Sequence, residues 1–211
     1  MSRLSLAVFT SVIALVGSMT PQPVLAKEPV DPTTLNPAPP PDFNPVCERV
    51  GNQIICEVQF SDPPFAGGSG VICGSGANTF EALQFQNRSV RGKRYYDANG
   101  DLLRRHFREV FEGTFVNPIT HKALAYSGSD THLHDLAVPG DISSGTEAIT
   151  GSVRIFLGPG NGTLAIDTGR LVVPGEGSTD NTFEEKGQHP FFDYFVFGDT
   201  AALQPLCDAL Q

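Results

Sequence analysis

The stretch from Phe80 to Phe115 constrains the fold more than any other part of the chain. Two long alternating runs flank Asp97-Ala98-Asn99-Gly100. Asn-Gly between such runs is a strong local signal for a β-hairpin. With Gly100 in the left-handed region and a three-residue loop, Asp97 pairs with Asp101. Leu83, Phe85 and Tyr95 then face Phe115, Gly113 and Leu103, which gathers apolar residues on one face far from the turn. An aromatic side chain lying across a strand glycine covers bare backbone, as Phe85 does over Gly113 in this register. Nearer the turn the runs become basic: Arg88, Arg91, Lys93, Arg94, Arg104, Arg105 and Arg108, with His106. Such a run is a solvated strand end that blocks edge pairing, or an anion site.

The first 26 residues have the pattern of a secretory leader. Arg3 supplies the charged start, Leu4 to Val16 is mostly apolar, and Val24-Leu25-Ala26 offers small or compact residues for cleavage. The apolar run is too short for a membrane span. Export of a soluble, secreted chain is therefore expected. Of 14 Lys and Arg residues against 23 acidic ones, Arg3 belongs to this leader. The remaining surplus of acid argues against nucleic-acid binding. Residues 27–45 are rich in proline and lack aliphatic periodicity, which predicts an extended, disordered spacer. The folded domain is expected over 46–211.

Four cysteines in an exported chain read as two disulfides. A two-residue turn at Gly51-Asn52 sets Cys47 directly opposite Cys56, close enough to bridge. Cys73 is then left for Cys207. Abundant glycine and proline, plentiful phenylalanine and short alternating runs give an all-β fold class. Val71–Cys73, Lys122–Leu136, Glu147–Leu157 and Thr163–Val173 read as strands, with loops over 61–69 and 174–188. Gly113, Gly128, Gly151 and Gly169 each lie mid-strand between polar or charged neighbours. A line of such glycines marks sharp bending, as coiling of a sheet requires. The expected architecture is an antiparallel meander closed or nearly closed into a barrel of about eight strands. Phe191–Phe197 reads as the closing strand. A short C-terminal helix follows, limited by Pro205, with Leu203, Leu206 and Leu210 plugging one barrel end.

Gly-Thr-Phe-Val-Asn-Pro-Ile-Thr (113–120), Gly-Thr-Leu-Ala-Ile-Asp-Thr-Gly-Arg-Leu (162–171) and Phe-Gly-Asp-Thr-Ala-Ala-Leu-Gln-Pro-Leu-Cys (197–207) resemble segments of exported actinobacterial proteins of uncharacterised function. Those carry a signal peptide, a proline-rich spacer and a β-rich domain with a late cysteine. The resemblance implies an architecture similar to the small antiparallel barrels of lipocalins and allene oxide cyclases, and it implies no activity. The lipocalin Gly-x-Trp signature is missing, since the chain has no Trp.

Several residues are candidates for chemistry. His132 and His134 share one strand face and form a candidate metal pair, with Asp130 as the nearest third ligand. They resemble the start of the first cupin motif, but Ala137, Val138 and Pro139 stand where its glutamate is expected. The bland alternative is two exposed histidines at a strand end. Asp97, Asn99 and Asp101 have calcium-loop spacing, but Leu102 and Arg108 occupy positions that need glycine and glutamate. A hairpin turn explains them fully. No Gly-x-Ser-x-Gly segment is present. His189 beside the aromatic run reads as packing or loop structure. Arg91, Tyr95, Arg105, Phe107 and Phe111 are the candidate ligand-binding residues, where the apolar and basic halves of the hairpin meet. Phe85, Phe115 and Phe195 complete the expected aromatic interior.

The resulting expectation is an exported β-barrel that binds a small apolar or amphipathic ligand without catalysis and without a cofactor. Two alternatives stay open. One is a cyclase, isomerase or metal enzyme using His132 and His134. The other is an envelope or protein interaction module built on the basic hairpin 88–108. The partner is a small hydrophobic or anionic molecule, with no nucleic acid and no membrane span.

Overall fold

The basic hairpin is the spine of the molecule. β5 (Phe80–Tyr96) and β6 (Leu102–Val116) are its two arms, the longest strands of the sheet. The structure, a computed structural model, describes residues 27–158, 161–178 and 183–211, so the expected leader over 1–26 lies outside the described residues. β1 (Glu28–Val30), β2 (Val46–Val50) and β3 (Gln53–Ser61) precede the spine. β4 (Phe65–Cys73) continues β3 along the same edge of β5. β7 (Ala123–Asp135), β8 (Thr146–Phe156), β9 (Thr163–Pro174) and β10 (Glu184–Gln188) follow β6 in order, every pairing antiparallel.

The turn forms as the sequence requires. Gly100 is left-handed at φ 93°, and the Asp97 N–H donates to the Asp101 carbonyl at 2.9 Å. The Asp97 carboxylate accepts from the Asn99 and Asp101 amides, so hairpin chemistry accounts for its oxygen spacing. Beyond the turn the register departs from expectation. Tyr96 pairs with Leu102, but Tyr95 pairs with Arg104, which leaves Leu103 as a bulge. The bulge keeps Leu102 on the concave face and also turns Arg105, Phe107, Phe111 and Phe115 inward. On β5 the inward residues are the even-numbered ones, so Phe85 faces Thr114 on the outer surface. Gly113 is covered by Tyr126 of β7 instead: a Cβ there would lie 2.6 Å from the phenol oxygen. The β5 sequence is ambiguous in this respect, with Leu83 and Phe85 on one parity and Phe80, Ala82, Val90 and Tyr96 on the other.

The sheet is not closed into a barrel. β1 and β10 end the strand order, and β4 pairs only with β5. The segment expected to close it, Phe191–Phe197, is helical: α1 spans Pro190–Phe197. Proline suits a first helical turn, and Gly198 ends α1 in the left-handed conformation with its N–H on the Tyr194 carbonyl. Helix α1 instead straddles the seam. The Phe191 amide donates to Asp167 on β9, while the Tyr194 hydroxyl accepts from the Ile72 amide on β4. Two expected loops are also partly strand, β4 within 61–69 and β10 within 174–188.

Helix α2 (Gln204–Leu210) forms and is short as expected, at 7 residues, but Pro205 lies in its first turn instead of at its end. Leu203, Leu206 and Leu210 are buried against Val71, Phe80, Phe115, Leu124 and Ile155. Cys73–Cys207 ties α2 to β4, and Cys47–Cys56 joins the directly paired residues of β2 and β3. The buried Asn117 of the β6–β7 turn donates to the Leu210 carbonyl.

Residues 27–45 are not the disordered spacer expected. β1 pairs with β2, and Leu35 is buried beside Tyr96 and Leu102. The Pro37 carbonyl accepts from the Tyr96 hydroxyl, and the Phe43 ring stacks on Phe60 at 4.0 Å. The segment lacks periodicity because its few apolar anchors are scattered, with Val30 and Leu35 in one core and Phe43 against Phe60.

Candidate functional site

Side-chain alternation sends one set of residues from β5 to β9 onto the concave face. Its two ends are apolar. One holds Phe115, Leu124, Tyr126 and the α2 leucines; the other holds Leu35, Ile54, Tyr96, Leu102 and the Cys47–Cys56 bridge. Between them lies a belt of ionisable groups: Arg105 and Glu109 on β6, Asp130, His132 and His134 on β7, Glu147 on β8, and Asp167 on β9.

A cavity of about 380 Å³ opens where this belt meets the α1 end. Phe111, Phe115, Phe191, Phe192 and Phe195 line it together with Ile149, Val153, Leu171 and Val196. Gln84, Gln86, Tyr126, Asp130, Asp167 and His189 supply its polar side chains. The Gln84 amide donates to the Tyr126 hydroxyl at 2.7 Å. His189, buried at the head of α1, donates to Asp167 at 3.1 Å and faces the Lys186 carbonyl at 3.2 Å.

The glycine line makes room for these groups. Gly151 and Gly169 are cross-strand partners. A Cβ on Gly151 would meet the Asp130 carboxylate at 2.0 Å, and one on Gly169 would meet His189 Nε2 at 2.8 Å. Bare backbone is thus the seat on which both polar side chains lie. Gly128 does the same for the Phe111 ring, which would lie 2.5 Å from a Cβ at that position.

Burial raises the Asp130 carboxyl to about 6, against the pull of His132 and with help from Glu109 and Asp167. No hydrogen bond holds this carboxylate among the described residues. Burial also raises Asp167, opposed by its bond to His189. Burial works against a charged His132, but the Glu147 hydrogen bond and the charges of Glu109, Glu147 and Asp130 outweigh it and raise the imidazole above its ordinary value. Glu147 is lowered by the same 2.8 Å bond.

The expected metal pair is arranged differently from a ligand set. His132 and His134 do share the concave face. Both ring nitrogens of His134 are engaged, Nδ1 by Arg105 at 2.7 Å and Nε2 by the Ser144 carbonyl at 2.9 Å. His132 gives Nδ1 to Glu147, and its Nε2 is buried without a partner. Among the described residues no three His, Cys, Asp or Glu side chains converge to hold a metal ion.

The five expected ligand residues divide between two faces. Phe111 lines the cavity. Arg105 is held in the belt by His134 and Glu176, the latter at 3.1 Å. Arg91 and Tyr95 face outward and line a separate groove of about 920 Å³ that Phe107 also reaches. Most of the hairpin charge is paired: Arg88 with Asp62 and Glu109, Lys93 with Glu57, Arg104 with Asp135. Arg91 and Arg108, directly opposite each other, have no acidic partner among the described residues. Asp130, Asp167 and His189 are the site residues that sequence reasoning undervalues. The usable signal is the mid-strand glycines: Asp130 is the cross-strand partner of Gly151, and His189 lies over Gly169.

The fold and site define an antiparallel β protein with two disulfides and an aromatic cavity edged by carboxylates. The two disulfides fit an oxidising, extracellular environment. Among the described residues no helix is long and apolar enough to cross a membrane. No protein-family model, curated protein or solved structure matches the chain.

Proposed function

We propose that this protein is an exported, barrel-like binding protein that holds one small apolar or amphipathic molecule on its concave face. One observation carries this reading: a cavity of about 380 Å³ walled by phenylalanines with a few convergent polar groups, the usual form of a small-molecule site. Helix α1 supplies Phe191, Phe192 and Phe195 to its wall and bridges the seam between β4 and β9. A fluorescent hydrophobe titrated into the purified protein tests it. Saturable binding is expected in the parent. Ile149→Trp, which fills the cavity from β8, is expected to weaken binding at least about tenfold, equivalent to about 1.4 kcal/mol. Equal binding by a folded Ile149→Trp variant would contradict the proposal.

A second reading is favoured by the elevated Asp130 carboxyl in an aromatic cavity, beside the His132–Glu147 pair. A carboxyl poised near neutrality suits proton transfer, as a cyclase or isomerase requires. This reading predicts turnover that Asp130→Asn abolishes while ligand binding survives. A ligand recovered chemically unchanged after prolonged incubation counts against it.

A further inference from the structure

We infer that the molecule bound in the concave cavity carries an organic ammonium group, which Asp130 receives inside a cage of aromatic rings. The inference rests on the cavity being the binding site and adds the chemistry of the bound head group.

Three independent features point to a cation. The first is the wall. Phe111, Phe115, Tyr126, Phe191, Phe192 and Phe195 surround the space, and aromatic faces attract ammonium groups through their electron-rich centres. The second is the charge of the lining. It contains two carboxylates, Asp130 and Asp167, and neither lysine nor arginine. The guanidinium groups of Arg105 in the belt and Arg88 on β5 are turned elsewhere, Arg105 to His134 and Glu176, Arg88 to Asp62 and Glu109. The third is the state of Asp130. Asp167 is already engaged by His189 and the Phe191 amide. Asp130 has no hydrogen-bond donor of its own and lies over bare Gly151 at the cavity floor. A half-buried carboxylate without a donor is costly, and a ligand cation relieves that cost. A carboxylate ligand such as a fatty acid would instead meet Asp130 and Asp167 with no lysine or arginine in the lining to offset them.

The ionisable groups around Asp130 set the pH dependence. Glu109 faces it from β6, His132 lies two residues along β7, and Asp167 faces it from β9 with His189 attached; β8 contributes only Gly151 opposite. Its carboxyl charge is lost as pH falls through about 6, and the preference for a cation goes with it.

The test uses three probes with one apolar body: naphthylmethylamine, naphthylmethanol and naphthoic acid, each titrated by fluorescence at pH 7.5 and pH 5. At pH 7.5 the amine is expected to bind at least about tenfold more tightly than the acid, and this gap is expected to shrink at pH 5. Asp130→Asn is expected to remove the amine's advantage while the alcohol still binds. The pH titration of the parent protein keeps the test decisive should that variant fold poorly. Naphthoic acid binding as tightly as the amine at pH 7.5 overturns the ammonium assignment and leaves the cavity reading standing. Binding of none of the three contradicts both.

Discussion

Asp130 lines the cavity beside the bare backbone of Gly151. As a residue in a polar run it reads as a third ligand for a histidine pair. In the fold it sits on Gly151, half-buried and without a donor. Its carboxyl titrates near 6 in the folded chain, above the ordinary 3.8, so the folded state takes up the proton more readily than the unfolded one. Stability contributed by this group is therefore present at low pH and lost as pH rises through that window. Asp130→Asn should remove the loss. The variant is expected to gain about 1 kcal/mol at pH 7 after allowance for solvent screening, and little at pH 4. Thermal melts at the two pH values check this. A variant less stable than the parent at pH 7 would show that favourable contacts, not burial, dominate the energy of this carboxylate. His134 teaches the complementary lesson. Spacing puts it on the correct face, but only the fold shows both its nitrogens occupied.

At the scale of elements, much was legible. The hairpin turn, both disulfides, the cores of β7, β8 and β9, and the buried leucines around α2 all follow from local chemistry and alternation. The bulge at Leu103 was not legible, because it brings Leu102 and Phe115, which are of opposite parity, to the same buried face, and no local pattern encodes that. Helix α1 is not legible because a short run of bulky apolar residues, interrupted only by Asp193, has no period to distinguish helix from strand. Pro190 and Gly198 were the informative residues there. The glycine line was legible as a pattern and acquires a cause in the structure. A Cβ on Gly128 would lie 2.5 Å from the Phe111 ring and 2.6 Å from the Ser152 carbonyl. Gly128→Ala is expected to cost about 1–3 kcal/mol through overpacking. Ser89→Ala on the exposed face of β5 is expected to change stability by under about 0.5 kcal/mol. Chemical denaturation of both variants makes the comparison, and equal midpoints would deny the glycine line any part in packing.

The whole molecule is an open sheet stabilised at both ends of one face. Helices α1 and α2 cover one end, and residues 27–45 cover the other. Composition alone assigns that N-terminal segment to disorder, because prolines conceal the few apolar anchors among them. Leu35→Ala is expected to cost about 2–4 kcal/mol, a loss no disordered spacer could produce. An unchanged unfolding midpoint would mean that the segment is not docked in solution. The middle of the face is left for function, with apolar walls and an uncompensated acid. That arrangement sacrifices stability, as sites built for a ligand commonly do. The most direct test of a ligand-holding concave face is native mass spectrometry of the protein purified from its own producing cells, followed by solvent extraction. One bound organic molecule per chain is predicted, released on denaturation and absent from the Ile149→Trp variant. A parent protein with the mass of the bare chain, and with no uptake of naphthylmethylamine, would contradict it.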